Sequence, residues 1–272
     1  MVQSQRSGLV LGDAVPAAVT AYYRAADAGR FEEAAEQMGL DVLIALPPRG
    51  GHEIHPRQVA RGRQTARDLL AARGALPQHH EIVLCVVEGP SCMVEGLIRA
   101  NASSEPVRSF VGAFQLDANG LIARYLAFSC EPPVALPPRS DSPASARSAE
   151  AAVRGYFDSL DSGRFEESAA WFSEDVIYCH PPYKHTGITS NRRVDFIGRS
   201  ELLAAFRERG KTQFVHRVLE LIQRGPNALF EVVTEGLPGA AFGSAVCSLS
   251  LDDDGRIRRY LAFYTEPGVE QI

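Results

Sequence analysis

The chain has 272 residues, 45% apolar and 22% charged, which suffices for more than one buried core and lies far from the composition of a disordered chain. Its net charge of -5, with both signs interspersed, offers no basic stripe to a phosphate backbone and argues against a nucleic-acid partner. The apolar run at residues 9–11 is far shorter than a signal peptide's, and no later run approaches the roughly 18 apolar residues of a span, so a cytoplasmic protein without a membrane partner is expected.

From residue 18 the chain reads AVTAYYRAADAGRFEEAAEQM, and from residue 152 it reads AVRGYFDSLDSGRFEESAAWF. Tyr22 and Tyr156, Gly29 and Gly163, and Phe31 and Phe165 therefore stand at one constant spacing. Gly62-Arg63 answers Gly198-Arg199, and His80 answers His216, after a loop two residues longer in the second copy. The ends, LIARYLAFSCE and RIRRYLAFYTE, bring Tyr125/Tyr260, Phe128/Phe263 and Glu131/Glu266 into register. An internal repeat of this length predicts two domains of one fold, at residues 13–135 and 148–270, joined by a Pro/Ser-rich extended linker at 136–147.

Within each copy the elements follow from periodicity. Val153, Tyr156, Phe157 and Leu160 recur at i, i+3, i+4 and i+7, predicting an amphipathic helix that stops at Gly163. A second, short helix is expected to share Phe165, Ala169 and Phe172 on one face, as Phe31, Ala35 and Met38 do in the first copy. Residues 175–182 and 41–48 read as strands ended by paired prolines. A third helix after Gly198 buries Leu202, Ala205 and Phe206, matched by Ala66, Leu69 and Leu70. Strands near 216–223, 229–235 and 245–251, and a last one through Tyr264, complete an α+β unit with helices on one face of a curved antiparallel sheet.

The opening A-V-x-x-Y, the strand ending in x-P, the G-R helix start and the closing D-x-x-G, I-x-R-Y-L-A-F together resemble the nuclear transport factor 2-like superfamily, with its ketosteroid isomerases and SnoaL-like polyketide cyclases. The resemblance implies two tandem α+β cones, each with a small-molecule pocket, and a fused pair that forms an intramolecular pseudo-dimer, either as a monomer or as a homodimer of it. It also implies roles to test by position. The oxyanion-hole tyrosine of ketosteroid isomerase falls on Tyr22 and Tyr156, its base on Leu46 and His180, and its second, acidic donor near Gly112 and Cys247. The base is thus missing from the first copy and the acidic donor from both. The tandem SnoaL-like epoxide hydrolases use paired carboxylates where Leu46 and His180 stand here.

These substitutions direct attention to the second domain. Alternation puts Val176, Tyr178 and His180 on one strand face, where the first copy has Val42, Ile44 and Leu46. Imidazole titrates near neutrality, so His180 is the expected general acid or base, with Tyr156 or Tyr178 as oxyanion donor. Tyr183, His185, Phe157, Trp171, Cys247 and Tyr22 are the expected ligand-binding residues. The expected activity is that of an isomerase, cyclase or lyase acting without a cofactor on a hydrophobic, ring-containing metabolite, the first domain serving as scaffold. Two other readings stay open: non-catalytic binding or sensing of an apolar ligand, and a structural fused dimer whose pockets are filled.

Other residues invite plainer accounts. His80 and His216 recur, as do Glu95 and Glu231, and a cross-strand His–Glu pair is expected in each copy. Arg63 and Arg199 are expected to anchor a helix start or a carboxylate, with Glu131 and Glu266 as partners. His52 and His55 lack a third ligand at a recognised spacing, so no metal is expected. No nucleotide or serine-hydrolase motif is present. The five cysteines form no C-x-x-C pair and read as buried small hydrophobes.

Overall fold

The computed structural model describes residues 11–47, 57–101, 105–137, 148–184, 187–188, 192–236 and 243–265. His52, His55, His185, Glu266 and most of the expected linker lie outside them. The first domain runs β1 (Leu11–Gly12), α1 (Ala17–Asp27), α2 (Phe31–Glu36), β2 (Met38–Leu46), β3 (Gln58–Arg61), α3 (Arg63–Arg73), β4 (Gln78–Glu88), β5 (Ser91–Ala100), β6 (Pro106–Leu116) and β7 (Ile122–Cys130). The second runs α4 (Ala149–Asp161), α5 (Phe165–Ala169), β8 (Phe172–His180), β9 (Tyr183–Lys184), β10 (Gly187–Ile188), β11 (Val194–Ile197), α6 (Arg199–Arg209), β12 (Val215–Arg224), β13 (Asn227–Glu235), β14 (Ser244–Leu251) and β15 (Ile257–Thr265).

The two copies share one topology. Their sheets are ordered β1-β4-β5-β6-β7-β2-β3 and β11-β8-β15-β14-β13-β12. Neighbours pair antiparallel except β2 with β7, β8 with β15, and the two-residue β1 with β4. A bulge interrupts the register between Ile82 and Leu84, and its counterpart between Val218 and Glu220, bending each sheet around its helices.

Local chemistry accounts for the helix ends. Gly29 (φ 73°) and Gly163 (φ 77°) take the left-handed conformation. The N–H of Arg30 donates to Ala25 and that of Gly29 to Ala26, and Arg164 and Gly163 repeat this on Ser159 and Leu160, closing each first helix with a Schellman motif. The expected second-helix face needs correction. Met38 and Phe172 are fully buried, but they open β2 and β8 rather than continuing α2 and α5. The N–H groups of Ile122 and Ile257 capture the carbonyls of Gln37 and Trp171 at 2.9 Å, so sheet pairing ends the short helices first.

Gly155 sits in mid-helix because a Cβ there would run into the indole of Trp171. Gly155→Ala is expected to destabilise by about 1–3 kcal/mol despite alanine's better helix propensity. A denaturant titration that finds the variant more stable than wild type would refute this packing.

Each sheet carries two apolar faces. One packs on its own helices, with Tyr22, Ile44, Phe110 and Tyr125 in the first domain and Tyr156, Tyr178, Phe230 and Tyr260 in the second. The other faces join in one buried cluster that mixes Leu84, Met93, Val111 and Phe128 with Ile222, Leu229, Val246 and Phe263. Two ion pairs cross this interface with exchanged roles. Arg259 donates to Glu95 at 2.9 Å, and Arg124 donates to Glu231 at 2.7 and 2.9 Å. Arg57 reaches Ser244, and Arg193 reaches Ser109, in the same reciprocal manner.

These pairs correct the expected His–Glu contacts. Both glutamates face the other domain, while His80 Nδ1 lies 2.6 Å from Asp27 of α1 and His216 Nδ1 lies 2.7 Å from Asp161 of α4. Arg63 donates to the carbonyl of Met38 at 2.7 Å, and Arg199 to that of Phe172 at 3.3 Å and to Glu174, so each arginine pins the start of a strand. Glu131 instead accepts from the backbone of Arg193 at 3.1 Å. All five cysteines are buried thiols. Among the described residues no helix is long and apolar enough to cross a membrane.

Candidate functional site

The site in the second domain begins where β8 meets the two prolines. Proline cannot donate to a ladder, and strand pairing stops beside His180, whose partner on β11 is Val194. The ring bends back so that Nδ1 donates to the Pro181 carbonyl at 2.7 Å. A carbonyl only accepts, so the proton resides on Nδ1 and the neutral ring carries its lone pair on Nε2. Burial, with smaller contributions from Arg209 and His216, pushes the imidazole down to about 4, against the Pro181 hydrogen bond. At neutral pH His180 is therefore an uncharged base of carboxylate-like strength.

Its aromatic neighbours are tightly fixed. The Tyr178 ring lies nearly parallel to His180 at 5.9 Å and stacks on Tyr260 at 4.7 Å. The Tyr156 and Tyr178 hydroxyls are 2.9 Å apart, and Tyr260 donates to Cys247 Sγ at 3.2 Å. Burial holds the Tyr156 and Tyr260 hydroxyls well above the usual phenol range, so both stay protonated donors.

Two cavities meet at these residues. An inner one of about 40 Å3, room for about one water, is walled by Tyr156, Phe157, Phe214, Cys247, Tyr260 and Tyr264. An outer one of about 480 Å3 is walled by Pro181, Pro182, Phe196, Leu202 and Phe206. Tyr178, His180 and Arg209 line both. The fold thus brings together His180, Tyr156, Tyr178, Phe157 and Cys247. Trp171 stands apart, against Gly155, and lines neither cavity. Tyr183 opens β9, and Tyr22 lines the other domain's cavity.

Arg209 and Phe214 also line the site without having been expected there, and Tyr264, expected only as part of the last strand, joins them. Arg209 alone had a signal, because it repeats Arg73 at the end of the third helix.

The first domain has a single cavity of about 540 Å3 among those described, bounded by Tyr22, Tyr23, Phe31, Leu46, Phe110 and Tyr125. Ile44, Leu46, Gln78 and Ser129 stand where the second domain has Tyr178, His180, Phe214 and Tyr264, and these bulkier side chains line the small inner cavity. A hydroxyl pair recurs here in altered form, Tyr23 with Tyr125 at 2.9 Å. Among the described residues no cluster of His, Cys, Asp and Glu is disposed to hold a metal.

A helix-backed curved sheet around a mostly apolar cavity with a few fixed polar groups has the geometry of a small-molecule pocket, here present in both halves of the chain. No protein-family model and no curated protein matches the chain. Among solved structures it is similar to a candidate ketosteroid isomerase from Kribbella flavida, at 30% identity over 45% of this chain and 84% of that one, with a TM-score of 0.34. It is also similar to an NTF2-like protein of unknown function from Burkholderia xenovorans, at 21% identity over 44% and 84%, TM-score 0.34. A candidate polyketide cyclase from Sinorhizobium meliloti matches at 19% identity over 42% and 94%, TM-score 0.32. The solved structures it is similar to are thus described as NTF2-like, ketosteroid isomerase and polyketide cyclase proteins, each spanning about half of this chain.

Proposed function

We propose that the second domain performs acid–base chemistry of the isomerase, cyclase or lyase type, without a cofactor, on an apolar ring-containing compound, and that the two domains act as an intramolecular pseudo-dimer. The reading rests on one observation: His180 and Tyr178 form the wall between the inner and outer cavities. A substrate ring held among Phe196, Leu202 and Phe206 would present an acidic C–H to Nε2 of His180. The C–H electron pair would move toward the substrate's carbonyl oxygen as His180 takes the proton. Tyr178 would stabilise that oxygen, its own hydroxyl accepting from Tyr156. Return of the proton to a different carbon completes an isomerisation and restores neutral His180.

The test is a thermal-shift screen of wild type and His180→Gln against polycyclic and terpenoid-like ketones, with each stabilising compound then followed for deuterium uptake in D2O. Uptake should fall by about 10²–10⁴ in the variant. Uptake unchanged by the substitution would remove His180 from the reaction. Passive binding of a hydrophobic ligand is the second reading, favoured by the 540 Å3 cavity beside the apolar Leu46.

A further inference from the structure

The cavity of the first domain contains a charge arrangement that an apolar ligand leaves unused. Arg108 lies on β6 two residues before Phe110, on the strand face turned toward the helices, and it lines the cavity. Its Nε is buried without a hydrogen-bond partner. Arg193 Nε and Nη1 at the inter-sheet interface are in the same state, so what distinguishes Arg108 from Arg193 is its place in the wall of a cavity. Arg73 adds a second positive charge to the same wall, with its Nη1 already donating to the Pro47 carbonyl at 2.8 Å and to Gln58.

Asp27 is the single acid lining the cavity among the described residues, and it is already committed. It takes the His80 ring at 2.6 Å and the His80 backbone N–H at 2.8 Å. Two guanidinium groups therefore face one engaged carboxylate, with aromatic walls from Tyr22, Tyr23, Phe110 and Tyr125.

The second domain keeps Arg209 where the first has Arg73 but lacks the other guanidinium. The position of Arg108 is taken there by Gly243, where a Cβ would collide with the Tyr264 hydroxyl, so the space of the arginine side chain is given to a phenol ring.

We propose that the first-domain cavity binds an aromatic or polycyclic carboxylate, with Arg108 donating to the carboxylate and the tyrosine and phenylalanine walls enclosing the rings. Arg108 supplies a planar fork suited to a carboxylate, and the cavity volume falls in the range of small-molecule sites. This site is independent of turnover at His180. It would make the chain a protein with two ligand sites of different charge preference.

The experiment is isothermal titration of the full chain with naphthalene-2-carboxylate and its neutral isostere naphthalene-2-carboxamide. The carboxylate is expected to bind at least about tenfold more tightly than the amide. Arg108→Met, which keeps the apolar stem, and Arg108→Gln should each bring the two probes to parity, and either variant alone suffices. His180→Ala should leave the preference intact. The proposal is overturned by an absence of carboxylate binding, by equal binding of the two probes, or by a preference that survives loss of the Arg108 guanidinium. A preference abolished by His180→Ala would also overturn it, by moving the anion to the second domain.

Discussion

Glu95→Ala is expected to lower stability by about 3–5 kcal/mol, because it strips the counter-charge from Arg259 at the centre of the inter-sheet interface. Glu95 is 1% exposed and Arg259 4%, so water cannot replace the lost partner. Ser248, which donates to the same carboxylate, loses its acceptor as well and keeps only the bond it accepts from Arg259. The double substitution Glu95→Leu with Arg259→Met should recover much of the loss, since an apolar pair of similar volume avoids desolvating two charges. Denaturant titrations of the single and double variants measure both effects. A single variant displaced by no more than an ordinary surface substitution, about 0.5 kcal/mol, would show that the two sheets do not bury this pair in solution.

The second large effect is on pH dependence. His180 in the folded chain is held at about 4, whereas an unfolded histidine titrates near 6.5. Between these values the unfolded chain binds the extra proton and the folded chain does not, so stability falls as pH drops from about 6.5 toward 4. The loss attributable to His180 is on the order of 2–3 kcal/mol, reduced by the ring's residual exposure. His180→Leu, which installs the first domain's residue, should flatten this part of the stability profile. Asp175 and Glu166, whose carboxyls are lowered by hydrogen bonds from Ser173 and Arg207 respectively, lose their contribution at more acid pH, so the variant's profile separates the groups. Proton abstraction by His180 should be level above about pH 5 and fall tenfold per unit below about 4. A stability profile that His180→Leu leaves unchanged would mean that the ring is solvated in the native state.

Much of the fold was legible because its signals are local and doubled. The repeat registered Tyr22 with Tyr156 and Gly29 with Gly163, and the Schellman caps at both glycines follow from residues within a few positions of one another. Strand alternation likewise separated Tyr178 and His180 from Ile177 and Cys179, which reach the inter-sheet cluster. Errors arose where a distant strand decided the outcome. Met38 and Phe172 carry a helical spacing, yet the backbone of the last strand captures the carbonyls beside them.

The candidate site divides in the same way. The sequence by itself determined two copies of one α+β unit, the apolar faces of its helices and the asymmetry that puts histidine in one copy and leucine in the other. Only the tertiary structure decided that His80 and His216 meet aspartates while Glu95 and Glu231 meet arginines of the opposite domain, because side-chain partners across a sheet depend on register and on which face is covered. It also decided cavity size. Volume is the space left by side chains converging from several elements, so Phe214 and Tyr264, far apart from His180 in the chain, line the small inner cavity of the second cone, where the first has Gln78 and Ser129.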